Sequence, residues 1–285
     1  MNGILIINKE KDYTSRDVVN KLIKILHTNK IGHTGTLDPI ATGVLVVTIG
    51  RATKLCDLLT SEYKEYIATM KLGIETDTLD ITGNIINEKK YDVNEEQIKE
   101  VLNSFLGKSI QEVPKYSAVK VNGRKLYEYA RSNIDVELPK REIDIKTIDF
   151  ISYKNDLITF KCLVSKGTYI RSLIRDIAYK LNTLGTMTEL IRTKQGDFKI
   201  EDSYTIEDIE NNKYKVISYE EALSNYEIIN INEDLYNKVL NGSIITKTFN
   251  NQIALLKYKG DIVAVYQEYD KDKTKAKPYV MLITK

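Results

Sequence analysis

The residue best suited to chemistry is Asp38, within the stretch Gly-His-Thr-Gly-Thr-Leu-Asp-Pro-Ile-Ala-Thr-Gly at residues 32–43. Its three glycines and one proline exclude a regular helix or strand interior. The short apolar run at 44–47 follows directly and predicts a buried strand. We therefore expect Asp38 on a tight loop that a core strand immobilises. There its carboxylate either does chemistry or forms an ordinary Asp-Pro turn.

Most other enzyme chemistries lack their residues in this chain. There is no Gly-x-Gly-x-x-Gly, no Gly-Lys-Ser/Thr phosphate loop, no Gly-x-Ser-x-Gly and no Cys/His metal spacing. The only histidines are His27 and His33, and there are two cysteines. A reaction that needs only a carboxylate fits this set. We expect no cofactor and no metal.

The elements that position such a carboxylate can be read from apolar spacing. A strand at 3–7 precedes a helix that Thr14 or Ser15 caps. Residues 64–72 alternate as a half-buried strand, which places Tyr66 on its apolar face and by itself favours a core aromatic. Arg171 lies at the start of a helix that follows Gly167. The helix dipole disfavours a cation there, which indicates a fixed anionic partner.

Tyrosines and basic residues alternate in the middle of the chain. Residues 114–125 predict a strand that runs into an Asn-Gly turn, and residues 126–131 predict a helix. The pattern fits a nucleic-acid-binding surface on which basic side chains contact backbone phosphates and tyrosine rings are exposed for stacking. It fits equally a helix that buries its rings and solvates its lysines, and both interpretations stay open.

Eight segments together resemble the TruB-type tRNA pseudouridine synthases, in the order of that family and over roughly residues 1–200. They are residues 32–43, 50–54, 64–66, 72–73, 76–83, 116–120, 125–131 and 165–171. The resemblance implies conversion of a uridine in the T-loop of tRNA, at position 55, to pseudouridine. It also implies that the uridine is flipped out of its stack into a pocket.

Site residues carried over from the family fall into two groups. Asp38 would be the nucleophile, towards C1′ of the sugar or towards the uracil ring. Arg171 would pair with Asp38 and aim it. Tyr66 would stack on the flipped base and assist the late proton removal from C5, which reverses its core assignment. The substrate-binding group is His33, which would fill the space that the flipped nucleotide leaves, together with Tyr66, Asp80, Tyr169 and Leu190.

Two positions depart from the family pattern. Lys9 is followed by Glu10 where the family usually has proline, which puts the rigidity of that loop in question. Ile191-Arg192 stands where paired arginines are usual, which indicates one phosphate or structural contact fewer.

We predict an α+β (mixed α/β) fold with a largely antiparallel central sheet flanked by helices, because strands and helices intermix without strict βαβ alternation. Residues 1–227 would form the catalytic pseudouridine synthase domain. Residues 228–285 would form a small β-rich, PUA-like RNA-binding domain, an assignment that rests on position and size.

The expected partner is tRNA, through its T-arm. An acidic segment at 200–234 lies between two basic ones, which fits a polyanion on one side or simply uneven solvated surface. We expect a cytoplasmic monomer with no membrane or protein partner, since no apolar run approaches the roughly 20 residues of a membrane span. Two other functions stay open: an RNA-binding or RNA-folding protein without catalysis, and a synthase for another RNA, including a guide-RNA-dependent relative.

Overall fold

The computed structural model describes residues 1–60 and 62–283, so residues 61, 284 and 285 of the two predicted domains lie outside the described part. The strands in chain order are β1 Gly3–Lys9, β2 Ile31–His33, β3 Thr42–Ile49, β4 Tyr63–Leu72, β5 Ile74–Thr76, β6 Ile85–Glu88, β7 Gly107–Glu112, β8 Lys120–Val121, β9 Arg124–Lys125, β10 Lys140–Lys154, β11 Leu157–Ser165, β12 Gly185–Gln195, β13 Phe198–Lys199, β14 Glu227–Asn230, β15 Ile245–Thr246, β16 Ile253–Tyr258, β17 Asp261–Tyr269 and β18 Asp272–Met281.

The helices are α1 Ser15–Ile25, α2 Cys56–Leu59, α3 Glu95–Asn103, α4 Leu126–Arg131, α5 Ile170–Lys180, α6 Ile206–Glu210, α7 Tyr219–Ala222 and α8 Glu233–Leu240, with short 3₁₀ helices at Gly50–Leu55 and Ile200–Asp202. Thr14 caps α1 through a reciprocal capping box with Asp17, as the sequence predicts. Within the described residues, no helix is both long and apolar enough to cross a membrane.

The main sheet has the strand order β1-β3-β12-β4-β11-β10-β7, with β2 on β3 and β13 on β12. Its pairs are antiparallel except β3 with β12, which run parallel over only two residue pairs, Thr42 with Ile191 and Gly43 with Arg192. The Asp38 loop enters the sheet at this parallel contact. A second sheet, β14-β16-β17-β18-β15, forms the C-terminal part. The predicted fold class is confirmed.

Apolar side chains cover both faces of the main sheet. On one face, the alternating residues of β4 and β11 pack against α3 and α5. On the same face, α1 and α6 cover Leu5 and Ile7 of β1 and Leu45 and Val47 of β3, whereas Ile4 and Val44 point to the opposite face. The C-terminal sheet packs on the main one, because Leu255 and Val265 share a cluster with Ile4 and Val44. The division at residue 227 stays a prediction.

One local prediction needs correction. The strand expected over 114–125 forms only at Lys120–Val121 and Arg124–Lys125, on either side of the Asn122-Gly123 turn. The preceding residues, 113–119, form a loop whose Tyr116 carbonyl is used elsewhere, as described below. The C-terminal part is β-rich as predicted, and it also contains a helix, α8, that the sequence analysis did not predict. Its Asn232 cap and its first-turn acids are the signals for it in the sequence.

Candidate active site

Asp38 lies on the loop between β2 and β3, and the backbone of this loop is fixed by hydrogen bonds. The Leu37 N–H donates to Ser15 Oγ at 2.9 Å, and that hydroxyl is 3.3 Å from the Leu37 carbonyl oxygen. The Ala41 N–H donates to the Asp38 carbonyl at 3.0 Å, which closes the turn. Leu37 and Ile40 are buried on either side of Asp38. The loop is therefore held from the backbone and from its apolar side chains.

Lys9 ties the end of β1 to the Asp38 loop. Its fully buried ammonium donates to the carbonyl oxygens of Tyr13 at 2.6 Å, Glu10 at 2.9 Å and Pro39 at 3.2 Å. Burial lowers the pKa of Lys9 to about 8. These bonds fix the turn after β1 where the family proline is replaced by Glu10, so the loop has a rigid anchor without that proline.

Arg192 holds the other side of the same loop. Its side chain is fully buried, and Nε donates to the Val44 carbonyl at 2.7 Å. Its terminal nitrogens donate to the carbonyls of Gly35 at 2.9 Å and Thr36 at 3.4 Å. Gly43 has φ +96°, and a Cβ there would collide with the Arg192 carbonyl oxygen. The single arginine of this segment thus has a structural role.

Arg171 makes a two-point ion pair with Asp38. Nε lies 3.0 Å from Asp38 Oδ2, and Nη2 lies 3.2 Å from Oδ1. The guanidinium also donates to the carbonyls of Thr78 at 3.0 Å and Tyr116 at 3.1 Å. The Arg171 side chain is 7% exposed, whereas that of Asp38 is 36% exposed. The buried guanidinium of Arg171 therefore orients the Asp38 carboxylate, which remains accessible to solvent.

Asp80 is the second acid at this arginine. Its Oδ2 lies 3.7 Å from Arg171 Nη1, and the residue is only 6% exposed. Its Oδ1 accepts from the Thr82 N–H at 3.0 Å and from the hydroxyls of Thr78 and Thr82. Asp80 thereby fixes the loop after β5, whose Thr78 carbonyl bonds Arg171. The structure brings Asp38, Asp80 and Arg171 into one cluster.

Tyr66 and Leu190 lie in the apolar core of the main sheet. Tyr66 is 8% exposed and Leu190 is 7% exposed, and both belong to the cluster of buried side chains that includes Leu37 and Ile170. Leu37 and Ile170 are sequence neighbours of Asp38 and Arg171 respectively. Tyr66 and Leu190 therefore belong to the same core as the residues that flank the charged pair in sequence.

Tyr169 and His33 are the two remaining predicted site residues. Tyr169 precedes the first residue of α5, and its N–H and carbonyl both bond the buried Gln111 side chain, at 2.8 and 3.1 Å. His33 lies in β2 opposite Val47. Burial, with the charges of Arg16 and Arg192, lowers the pKa of His33. Its Nδ1 is buried without a hydrogen-bond partner among the described residues. Neither residue contacts the Asp38 carboxylate through a hydrogen bond or ion pair of the described structure.

Three residues that sequence reasoning did not place in the site support it: Lys9, Ser15 and Arg192. A signal existed for two of them. Arg192 is two positions from Leu190 on β12 and therefore shares its buried face, and Lys9 continues the buried run of β1. Nothing in the local pattern marks Ser15 as a loop anchor. Among residues 1–60 and 62–283, no group of three or more His, Cys, Asp or Glu could hold a metal ion.

Comparison with known sequences and structures points to one family. Residues 23–170 match the profile of the TruB family pseudouridylate synthase N-terminal domain, and residues 171–228 match that of the tRNA pseudouridylate synthase B C-terminal domain. The chain is 44% identical to a Clostridium tetani protein named tRNA pseudouridine synthase B, covering 94% of this chain and 93% of that one. It is 39% identical to the Bacillus subtilis protein of the same name, covering 100% and 99%.

Solved structures agree on the fold. A crystal structure of a Cbf5–Nop10–Gar1 complex contains a chain that superposes with a TM-score of 0.75 at 25% identity, covering 99% of this chain and 85% of that one. A chain from an archaeal box H/ACA Nop10–Cbf5 complex gives 0.72 at 24% identity. The family profiles cover both the Asp38 loop and the helix that carries Arg171. The chain belongs to the TruB family of pseudouridylate synthases.

Proposed function

We propose that this enzyme isomerises the uridine at position 55, in the T-loop of tRNA, to pseudouridine, with Asp38 as nucleophile. The uridine enters the site flipped out of its stack, and the chain acts on the T-arm as a monomer without metal or cofactor. Its relatives in C. tetani and B. subtilis are named tRNA pseudouridine synthase B, and their similarity extends over nearly the whole chain. The choice of uridine, the flipping and the nucleophile are the parts of this proposal that need testing.

The observation that carries the proposal is the exposure difference between Asp38 and Arg171. A pair with only a structural role needs no accessible carboxylate, but the Asp38 side chain is 36% exposed on a buried arginine. Arg171 is fixed in turn by two backbone carbonyls and by Asp80. This arrangement holds a carboxylate in one orientation before substrate arrives, which is the requirement for nucleophilic catalysis by a weak nucleophile.

The reaction needs one bond broken and one formed at the same sugar carbon. Asp38 attacks C1′ of the ribose or the uracil ring, the bond from N1 to C1′ breaks, and the ring turns. C5 then bonds to C1′, the bond to Asp38 breaks and returns the free carboxylate, and the proton on C5 leaves while N1 gains one. Because the atoms of uridine are only rearranged, no external oxidant, reductant or group donor is required. Tyr66 would stack on the ring during this rotation and assist removal of the C5 proton.

The remaining predicted residues have roles that fit their positions. Leu190 and Tyr169 would line the pocket for the uridine, and Asp80, which pairs with Arg171, would help to hold that arginine in place. His33 would fill the space vacated by the flipped nucleotide. The lowered pKa of His33 gives it a neutral imidazole, which suits stacking among bases better than a charged ring would.

Site-resolved pseudouridine mapping on unmodified tRNA transcripts tests the proposal. Wild-type protein should convert one T-loop uridine, and Asp38→Asn should abolish turnover while RNA affinity stays within a few-fold. Asp149→Asn, an exposed aspartate of β10, is the matched control and should behave as wild type.

Three outcomes would contradict parts of the proposal. Turnover by Asp38→Asn would remove Asp38 from the nucleophile role. Conversion of a uridine elsewhere in tRNA would refute the T-loop assignment. Tight tRNA binding without conversion by either protein would favour the RNA-folding function, in which splaying of the T-loop is the activity itself.

A further inference from the structure

Lys64 lies on the same sheet face as Tyr66, two positions earlier in β4. Its cross-strand neighbours are Gln195 on β12 and Val164 on β11. Residues directly opposite each other in an antiparallel pair point to the same face, so Lys64 and Gln195 share the face on which Tyr66 opposes Arg192. This row of side chains lies beneath the loop that carries Asp38.

The Asp38 loop packs directly on this row. A Cβ built on Gly35 would lie 3.5 Å from Lys64 Cε, 3.4 Å from a terminal nitrogen of Arg192 and 3.2 Å from Gln195 Oε1. Gly35 is three residues before Asp38. The Lys64 ammonium, one bond beyond Cε, is therefore located close to the loop that carries Asp38.

The charges around Lys64 do not neutralise it. Its Nζ has neither an ion pair nor a hydrogen bond among residues 1–60 and 62–283. The charged groups that act on it are Arg192, across β12, and Lys166, in the turn after β11, and both are cations. Burial and these two charges lower the pKa of Lys64 to about 8. The Arg192 guanidinium donates hydrogen bonds to carbonyl oxygens of the loop and of β3, whereas the three N–H donors of the Lys64 ammonium remain available among the described residues.

A half-buried ammonium without an anion destabilises a folded chain, because its desolvation is not compensated by an ion pair. A bound anion would compensate for that desolvation. We infer that Lys64 binds a backbone phosphate of the RNA, next to the nucleotide that enters the Asp38 pocket. The inference rests on the proposed function, since it takes RNA as the substrate. A partly desolvated cation gains more from a phosphate than a surface lysine does, because water and salt screen it less.

The competing role for Lys64 is mechanical support of the loop. Gln195 Oε1 is buried without a donor, and a rotation of the lysine side chain would let it donate there. In that case Lys64 would hold the loop and contact no RNA. The two roles differ in a measurable way, because only a phosphate contact depends on the charge of one linkage in the substrate.

The experiment uses a T-arm RNA in which single linkages around the target uridine are replaced, one at a time, by uncharged methylphosphonates. We would measure KM and kcat for wild type, Lys64→Met and Lys64→Arg on each RNA. For wild type, one substitution should raise KM by about tenfold or more, as for loss of a charge-assisted hydrogen bond. On the unmodified RNA, the KM of Lys64→Met should be raised by about the same factor. Introducing that one methylphosphonate should not change the KM of Lys64→Met further.

Two further readouts sharpen the test. The slope of log affinity against log salt should fall by about 1 in Lys64→Met, and Lys64→Arg should restore most of it. Lys71→Met is the matched control: it lies on the same strand about 23 Å away, on the opposite face, and should match wild type throughout.

Other results overturn the inference. If Lys64→Met lowers kcat but remains as sensitive as wild type to every methylphosphonate, Lys64 supports the loop and does not bind phosphate. If its KM and salt slope equal those of wild type, Lys64 has no role in RNA binding. Failure of the proposed function would look different, because wild type itself would then not convert the unmodified T-arm RNA.

Discussion

Replacing Arg192 by methionine should separate the stability of the Asp38 loop from the chemistry of Asp38. The variant keeps a long side chain but loses the three donors that reach Val44, Gly35 and Thr36. The bond to Thr36 is long at 3.4 Å and its acceptor belongs to an exposed residue, so water can replace it. The hydrogen bonds to Val44 and Gly35 therefore determine how much stability the variant loses.

Each of these two bonds is worth about 1.5–3 kcal/mol because its donor is charged, so their sum is about 3–6 kcal/mol. Removing a fully buried cation recovers part of its desolvation cost, which brings the expected loss to about 3 kcal/mol. That is less than the typical stability of a folded chain, so the variant should remain folded at 25 °C. A freed loop misplaces Asp38, and a displacement of about 1 Å costs about a hundredfold in rate.

Urea denaturation and single-turnover kinetics on T-arm RNA would measure the two effects. Leu102→Ala is the matched control, because this change in a buried α3 residue should cost about 2–5 kcal/mol and leaves the hydrogen bonds between Arg192 and the loop in place. Its rate per folded molecule should equal that of wild type. If Arg192→Met has wild-type stability and rate, or if Leu102→Ala slows the reaction as much, Arg192 does not position Asp38.

Two other predictions concern the same face of the sheet. Gly43→Ala should lower the free energy of unfolding by about 2–4 kcal/mol in a urea titration, because the new Cβ would collide with the Arg192 carbonyl. Gly123 also has a positive φ, +82°, but a Cβ there would meet no atom within 4 Å, so Gly123→Ala should lower the free energy of unfolding by less. Equal losses in the two variants would refute the collision at Gly43. The pKa of Lys64 is about 8 in the folded chain and 10.5 in its ordinary state, so between these values the unfolded chain binds more protons and stability rises with pH. Lys64→Met should show a smaller rise between pH 8 and 10, and an unchanged one would contradict a buried Lys64.

The sequence reveals the elements of this site better than their contacts. Glycine and proline spacing locates the Asp38 loop, and alternation locates Tyr66, because both signals depend on neighbouring residues only. The odd position of Arg171 at a helix start correctly indicates an anionic partner. The partner itself, Asp38, follows from the family resemblance and is then found in the structure.

The sequence pattern does not show which backbone carbonyls contact the side chains of the site. The Thr78 and Tyr116 carbonyls bond Arg171, and the segment around Tyr116 was predicted as a strand. Tertiary packing overrides its local pattern. The inward orientation of Arg192 could have been read from its parity with Leu190, but nothing local shows which carbonyls it reaches. Those depend on how β3 and β12 meet.

The separation in sequence of the paired groups has a consequence for folding kinetics. Asp38 and Arg171 are 133 positions apart, and Arg192 and Gly35 are 157 apart. Long chain closures are slow to form, so both contacts depend on the main sheet having closed first. During refolding, helix signal and core burial should therefore return before turnover does. Catalytic activity should therefore be the last property to return, and a chain that is merely compact should be inactive.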